Sequence, residues 1–163
     1  MSSDNIVPMS SSSKKIHIDK TNPDIIIKII PDTPNYNNSS ANNEIEIQTA
    51  AAMLGIAPEI IYNYWCNGAT YIAMTKIKGM TLADFYGSRN MDIPTSIWNE
   101  VRKIVQTLYN NGIEYVDITP YNFMIDDNEK IWIIDFEHAK KIQQNWFLNT
   151  FLNGANTWNP DFA

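Results

Sequence analysis

Short apolar runs between polar punctuation dominate the first half of the chain. "NIVPM" and "KKIHIDK" flank a serine run, Ser10, Ser11, Ser12 and Ser13, in the order strand, loop, strand. Ile16 and Ile18 alternate with polar neighbours, as a half-buried strand requires. After the turn "TNPD", the run "IIIKII" is a strand broken only by Lys28. Residues 31–43, "PDTPNYNNSSANN", have the Pro, Asn and Ser content of a mobile linker. A helix is predicted over residues 43–54, with Ile47, Ala51 and Leu54 on one face and Gly55 as its stop. "EIIYNYW" and "TYIAMTKI" are predicted strands joined through "CNGA", whose Asn-Gly is a hairpin signal.

The period then changes. "TLADFYG" reads as a short helix capped by Thr81. "TSIWNEVRKIVQTLYNNG" carries a helical stripe of Ile97, Val101, Ile104, Val105 and Leu108, ended by Gly112. "FMI" and "IWII" flank the polar turn "DDNEK" as a β-hairpin. "AKKIQQNWFLNTFLNG" is predicted as a last helix before the tail "ANTWNPDFA". No internal repeat is present. A sheet-rich first half and a helix-rich second half make an α+β fold.

Composition narrows the partners. The 163 residues suffice for one domain with a real core, and 44% hydrophobic with 18% charged residues is a globular balance. A formal net charge of −6 gives no general attraction to nucleic acid or to an anionic membrane. One cysteine, Cys66, allows no intrachain disulfide. No apolar run is long enough to span a bilayer, and the start lacks the apolar core of a signal peptide. The expectation is a soluble cytoplasmic protein.

The candidate chemistry lies in "YVDITPYNFMIDDNEKIWIIDFEHA", which sets Asp117, Asn122 and Asp135 beside runs that must be buried. Carboxylates near a core are costly unless paired or holding a cation. An antiparallel hairpin brings Asn122, before its first strand, close to Asp135, after its second. Two such oxygen ligands suit Mg²⁺, whose shell is completed by water and phosphate. Asp117, five residues before Asn122, would face the same place as a base. Asx residues at strand ends also cap turns, but three together with Lys28 inside an apolar strand favour the functional reading. His17 and His138 have no metal-ligand spacing to a second His or Cys, so zinc is not expected. Trp98, Trp132 and Trp146 are expected to be core or half-buried packing.

"YVDITPYN" followed by "IIDFE" resembles the H-R-D-x-x-x-x-N and D-F-G elements of the protein-kinase-like superfamily, and "IIIKI" resembles its V-A-I-K strand. The resemblance covers nearly the whole chain in the right order. Its compactness is similar to the RIO kinases and the KEOPS-complex kinase, and "IDFE" with "GMTL" is similar to choline kinases and aminoglycoside phosphotransferases. It implies a two-lobed fold, with residues 1–78 as a sheet-bearing N-lobe and 79–163 as a strongly reduced C-lobe. It implies ATP and Mg²⁺ as cofactors. Lys28 would hold the α- and β-phosphates. Glu44 would orient Lys28; Glu46 competes, but Glu44 shares a face with Ile47 and Ala51. Met74, Thr75, Lys76 and Ile77 would form the segment where adenine docks. Asp117 would be the catalytic base, and Asn122 and Asp135 the Mg²⁺ ligands.

The departures are specific. Ser10 to Ser13 stand where the family has a Gly-rich loop, either contacting phosphate or serving as a polar turn. Tyr115 replaces the usual His and Val116 the Arg that pairs with an activation-loop phosphate. Glu137 replaces the Gly after Asp135-Phe136, leaving that segment less free to adopt glycine-only backbone conformations. Only a short tail follows Glu137, which leaves little material for a substrate groove. "WNPDF" either packs back or meets a protein partner. The expected activity is that of a Ser/Thr protein kinase; the alternatives are a small-molecule kinase and a pseudokinase scaffold. The acceptor is not named by the sequence.

Overall fold

The computed structural model describes residues 6–8 and 16–162. The serine run Ser10 to Ser13 lies outside the described residues. No helix among the described residues is long and apolar enough to cross a membrane. The chain divides into two compact units, one holding the described residues up to Met53 together with Pro58–Lys76, the other Leu54–Ala57 with the rest from Ile77 onward.

The first unit is a five-stranded antiparallel sheet with one helix. Its strands are β1 (Ile6–Pro8), β2 (Ile16–Asp19), β3 (Ile25–Pro31), β4 (Ile60–Cys66) and β5 (Ala69–Thr75), in the order β1-β2-β3-β5-β4. The β4–β5 turn is the predicted Asn-Gly: Asn67 and Gly68 have φ of 50° and 75°, which Gly adopts freely and Asn better than most. Helix α1 spans Asn38–Met53, five residues longer at its start than expected. Asn37 causes the early start. Its Oδ1 accepts the backbone N–H groups of Ser39 and Ser40 at 3.0 and 3.3 Å, capping a first turn whose Asn and Ser side chains face water. Half of the predicted linker is therefore helix. The buried face of α1 is Ala41, Glu44, Ile47, Gln48 and Ala51, an unusually polar stripe.

The second unit carries the hairpin of β8 (Phe123–Asp126) and β9 (Ile131–Ile133), extended by β6 (Gly79–Thr81) into a three-stranded sheet. Gly79 makes that extension possible, since a Cβ there would lie 2.0 Å from the carbonyl oxygen of Ile125. Thr81 caps the short helix α2 (Leu82–Phe85) by accepting the Asp84 N–H. Helix α3 (Thr95–Asn110) buries Trp98, Val101, Ile104, Val105 and Leu108. The predicted last helix is corrected. Lys140–Lys141 forms β10, paired with β7 (Ile113–Glu114), and the helix α4 is only Trp146–Leu152, begun by an Asn145 cap. Glu114 holds the connection open by accepting the Gln143 N–H at 2.7 Å. Trp98 is a core residue and Trp132 is half-buried beneath Lys130, but Trp146 is 63% exposed, against expectation. Its neighbours Phe147 and Leu148 take the buried side of the short helix.

Candidate active site

In the first unit, Lys28 sits mid-strand on β3 between Ile16 on β2 and Ile72 on β5. Lys28 is 6% exposed and Glu44 1% exposed. A buried ammonium among isoleucines requires a counter-charge. Glu44 supplies it: Oε1 accepts from Lys28 Nζ, while Oε2 accepts from the Tyr36 hydroxyl. Glu46 is exposed. One turn further along α1, the Gln48 amide donates to the Pro58 carbonyl at 3.0 Å and lies 3.5 Å from Met74 Sδ. The polar face of α1 is thus satisfied group by group. On the segment read as the adenine dock, Met74 is buried, Thr75 Oγ1 accepts the Glu59 N–H, and the Lys76 N–H donates to Asp24 O. Ile77, which belongs to the second unit, is half-buried.

In the second unit the hairpin register sets Phe123 opposite Ile133. The Ile134 N–H donates to Asn122 O at 2.9 Å, so the residues flanking the strands meet. Asn122 also closes the loop before β8, its Nδ2 donating to Asp117 O at 3.0 Å. That leaves Asn122 Oδ1 with no protein donor among the described residues. Asp117 is half-buried. Burial pushes its carboxyl above the usual range, and the nearby Asp135 charge pushes it further; His138 and a hydrogen bond from the Asn122 side chain pull the other way, and Glu137 adds a weaker upward push.

Asp135 has φ of 61°, one of three non-glycine residues with positive φ among those described. Left-handed backbone is tolerated by Asp better than by most residues, and it concentrates at functional sites. The special conformation thus falls on Asp135 itself and not on Glu137, so the family's glycine position needs no glycine here. Tyr115 stabilises the bend. It is 1% exposed, its hydroxyl reaches the carbonyl oxygens of Ile134 and Asp135 at 2.7 and 2.8 Å, and its ring meets Phe123 and Phe136 edge-on.

The tail holds the Asp117 loop from its other side. Asn159 is fully buried; its N–H donates to Ile118 O at 2.9 Å and its Nδ2 to Val116 O at 2.8 Å. The carbonyls on both sides of Asp117 are therefore tied to one residue. Trp158 anchors that residue by packing 4.3 Å, centroid to centroid, from Trp98. Of the two readings of "WNPDF", Trp158 and Asn159 pack inward.

Residues 9–160 match the family model described as the protein kinase domain. The chain belongs to the protein kinase domain family. Among similar proteins, a 3-deoxy-D-manno-octulosonic acid kinase of Vibrio parahaemolyticus is 31% identical over 49 residues, 30% of this chain and 21% of that protein. A probable serine/threonine-protein kinase of Clostridium perfringens is 26% identical over 98 residues, 57% of this chain and 14% of the relative. A probable serine/threonine-protein kinase of Dictyostelium discoideum is 25% identical over 139 residues, 81% of this chain and 12% of the relative. The chain thus spans about a fifth or less of the length of these relatives.

Two groups of the site escaped sequence reasoning. Tyr36 lay in a segment read as linker, and Asn159 in one read as tail. A buried aromatic next to an Asn, as in "WNPDF", was the available signal for the second.

Proposed function

We propose that the chain is a phosphotransferase using ATP and Mg²⁺, with a serine or threonine hydroxyl of a protein as acceptor. The observation that carries this reading is the junction in which Asn122 is hydrogen-bonded both to the Asp117 carbonyl and to Ile134, next to Asp135, on backbone fixed by Tyr115 and Asn159. Burial and the Asp135 charge both disfavour ionised Asp117, and a bound cation would offset that cost. The donor set fits Mg²⁺: Asn122 Oδ1 and the Asp135 carboxylate are hard oxygens, and this ion takes one or two protein groups beside phosphate and water. When bound, the ion neutralises charge on the transferring phosphoryl group.

The chain's own groups do the rest. Asp117 accepts the proton of the acceptor hydroxyl, and its raised carboxyl moves it towards the basicity that task needs. Lys28, aimed by Glu44, binds the α- and β-phosphates, and the backbone of Met74 to Ile77 receives adenine. An exposed free thiol, Cys66, accords with a cytoplasmic setting. A small-molecule acceptor is the second reading, favoured by the similarity to kinases named for 3-deoxy-D-manno-octulosonic acid.

The test is transfer from γ-labelled ATP, with Mg²⁺ or with chelator, to casein or to a sugar acid. Mg²⁺-dependent transfer that falls about 10²–10⁴-fold in Asp117→Asn is expected. Label on casein supports the first acceptor class, and label on the sugar acid the second. Turnover equal in the parent and Asp117→Asn refutes the assignment, and MgATP binding without turnover makes the chain a nucleotide-binding scaffold.

A further inference from the structure

Glu44 is almost wholly removed from water, and its two carboxylate oxygens answer to different parts of the first unit. Oε1 accepts from Lys28 on β3, and Oε2 accepts from the hydroxyl of Tyr36 in the β3–α1 connection. One partner fixes where a carboxylate sits, but leaves it free to rotate about its final bond. A second donor from another direction removes that freedom.

Tyr36 is built to be that donor. Its backbone is locked into a four-residue turn: the Thr33 N–H donates to Tyr36 O at 2.6 Å, and the Tyr36 N–H reaches Thr33 O at 3.2 Å and Thr33 Oγ1 at 3.0 Å. Its ring packs on the core cluster of Ile30, Ile72 and Met74. With main chain and ring both held, the hydroxyl meets Glu44 with little conformational entropy left to lose. The next residue, Asn37, caps α1 and so fixes the helix that carries Glu44.

We propose that Tyr36 is a positioning residue for phosphoryl transfer, acting through Glu44 to hold the Lys28 ammonium where the nucleotide phosphates meet it. The proposal rests on the reading of Lys28 as the phosphate-binding residue. In this role Tyr36 acts through Glu44 alone. It keeps the Glu44 carboxylate aimed, so that Lys28 does not pay for reorienting its partner each time phosphate binds and leaves.

Tyr36→Phe isolates the hydroxyl, because the ring and its packing survive. Two readouts are taken on the folded variant. The first is MgATP kinetics, where kcat/KM should fall about tenfold, the usual scale for a hydrogen bond to a charged group. The second is the rate at which trinitrobenzenesulfonate modifies the Lys28 amine, followed by mass spectrometry. It should rise several-fold in Tyr36→Phe and more in Glu44→Gln. The double variant should be no worse than Glu44→Gln alone, since both changes act through one carboxylate. A merely structural tyrosine would leave Lys28 labelling at the parent rate, and that result overturns the proposal, as would additive losses in the double variant. If the parent shows no MgATP turnover, the kinase reading fails, and Lys28 labelling alone decides the role of Tyr36.

Discussion

The two units place charge beside a core in opposite ways. In the first, an ammonium and a carboxylate are buried together and a phenol completes the set, so Lys28, Glu44 and Tyr36 satisfy one another. In the second, burial and then the nearby Asp135 charge raise the cost of ionising Asp117. The backbone under the second pair is no looser for that. Tyr115, Asn122 and Asn159 pin it through the carbonyls of Val116, Asp117, Ile134 and Asp135. Rigid support beneath an unfavourable arrangement marks a place shaped for something other than folding. The first arrangement is complete without a ligand, whereas the proposed function gives the second a cation to hold.

That contrast predicts opposite signs in mutagenesis. The largest effect belongs to the first unit. Lys28→Met strands the buried Glu44 charge and should cost about 3–5 kcal/mol in denaturant unfolding, and Lys28→Met with Glu44→Leu should recover most of it. If the single variant is as stable as the parent, the pair is not the buried, mutually dependent unit described above. Next comes the support. Asn159→Ala keeps the backbone bond to Ile118 O but removes the Nδ2 bond to Val116 O and the one that Oδ1 accepts from the Asp161 N–H, and should cost about 1–3 kcal/mol by the same measurement. A negligible change would separate the tail from the Asp117 loop.

The smallest effect has the reverse sign. The fold favours the protonated form of Asp117, so the penalty for its charge appears as pH rises from the ordinary value of 3.8 through the elevated one. Asp117→Asn should therefore raise the melting temperature slightly at pH 7, and the gain should vanish as pH falls below 3.8. A loss of stability at neutral pH would show that the Asp117 charge supports the fold, erasing the contrast between the units.

Much of this was legible in the sequence, and the gaps share a cause. Apolar periodicity gave away β3, β5 and α3, and the turn chemistry of Asn67-Gly68 and Thr81 located its elements. Local patterns failed where polar residues serve structure. The Asn- and Ser-rich start of α1 looked like linker because its first turns face water and its buried face carries Glu44 and Gln48. The segment before α4 looked helical because its apolar residues are regularly spaced, yet Lys140–Lys141 pairs with β7. For the candidate site, motif spacing singled out Lys28, Glu44, Asp117, Asn122 and Asp135. Tyr36 and Asn159 were not, since each acts by a contact across the fold that no local pattern encodes.

The central claim is that Asn122 and Asp135 are held ready for a divalent cation. Mn²⁺, a paramagnetic stand-in for Mg²⁺, tests it most directly when titrated with ATP into isotopically labelled protein. The account predicts that the amide signals of Asn122, Phe123, Asp135 and Phe136 broaden first, and that Asp135→Asn abolishes the effect at the same Mn²⁺ concentration. Unchanged signals at these residues, or equal broadening in Asp135→Asn, would contradict it.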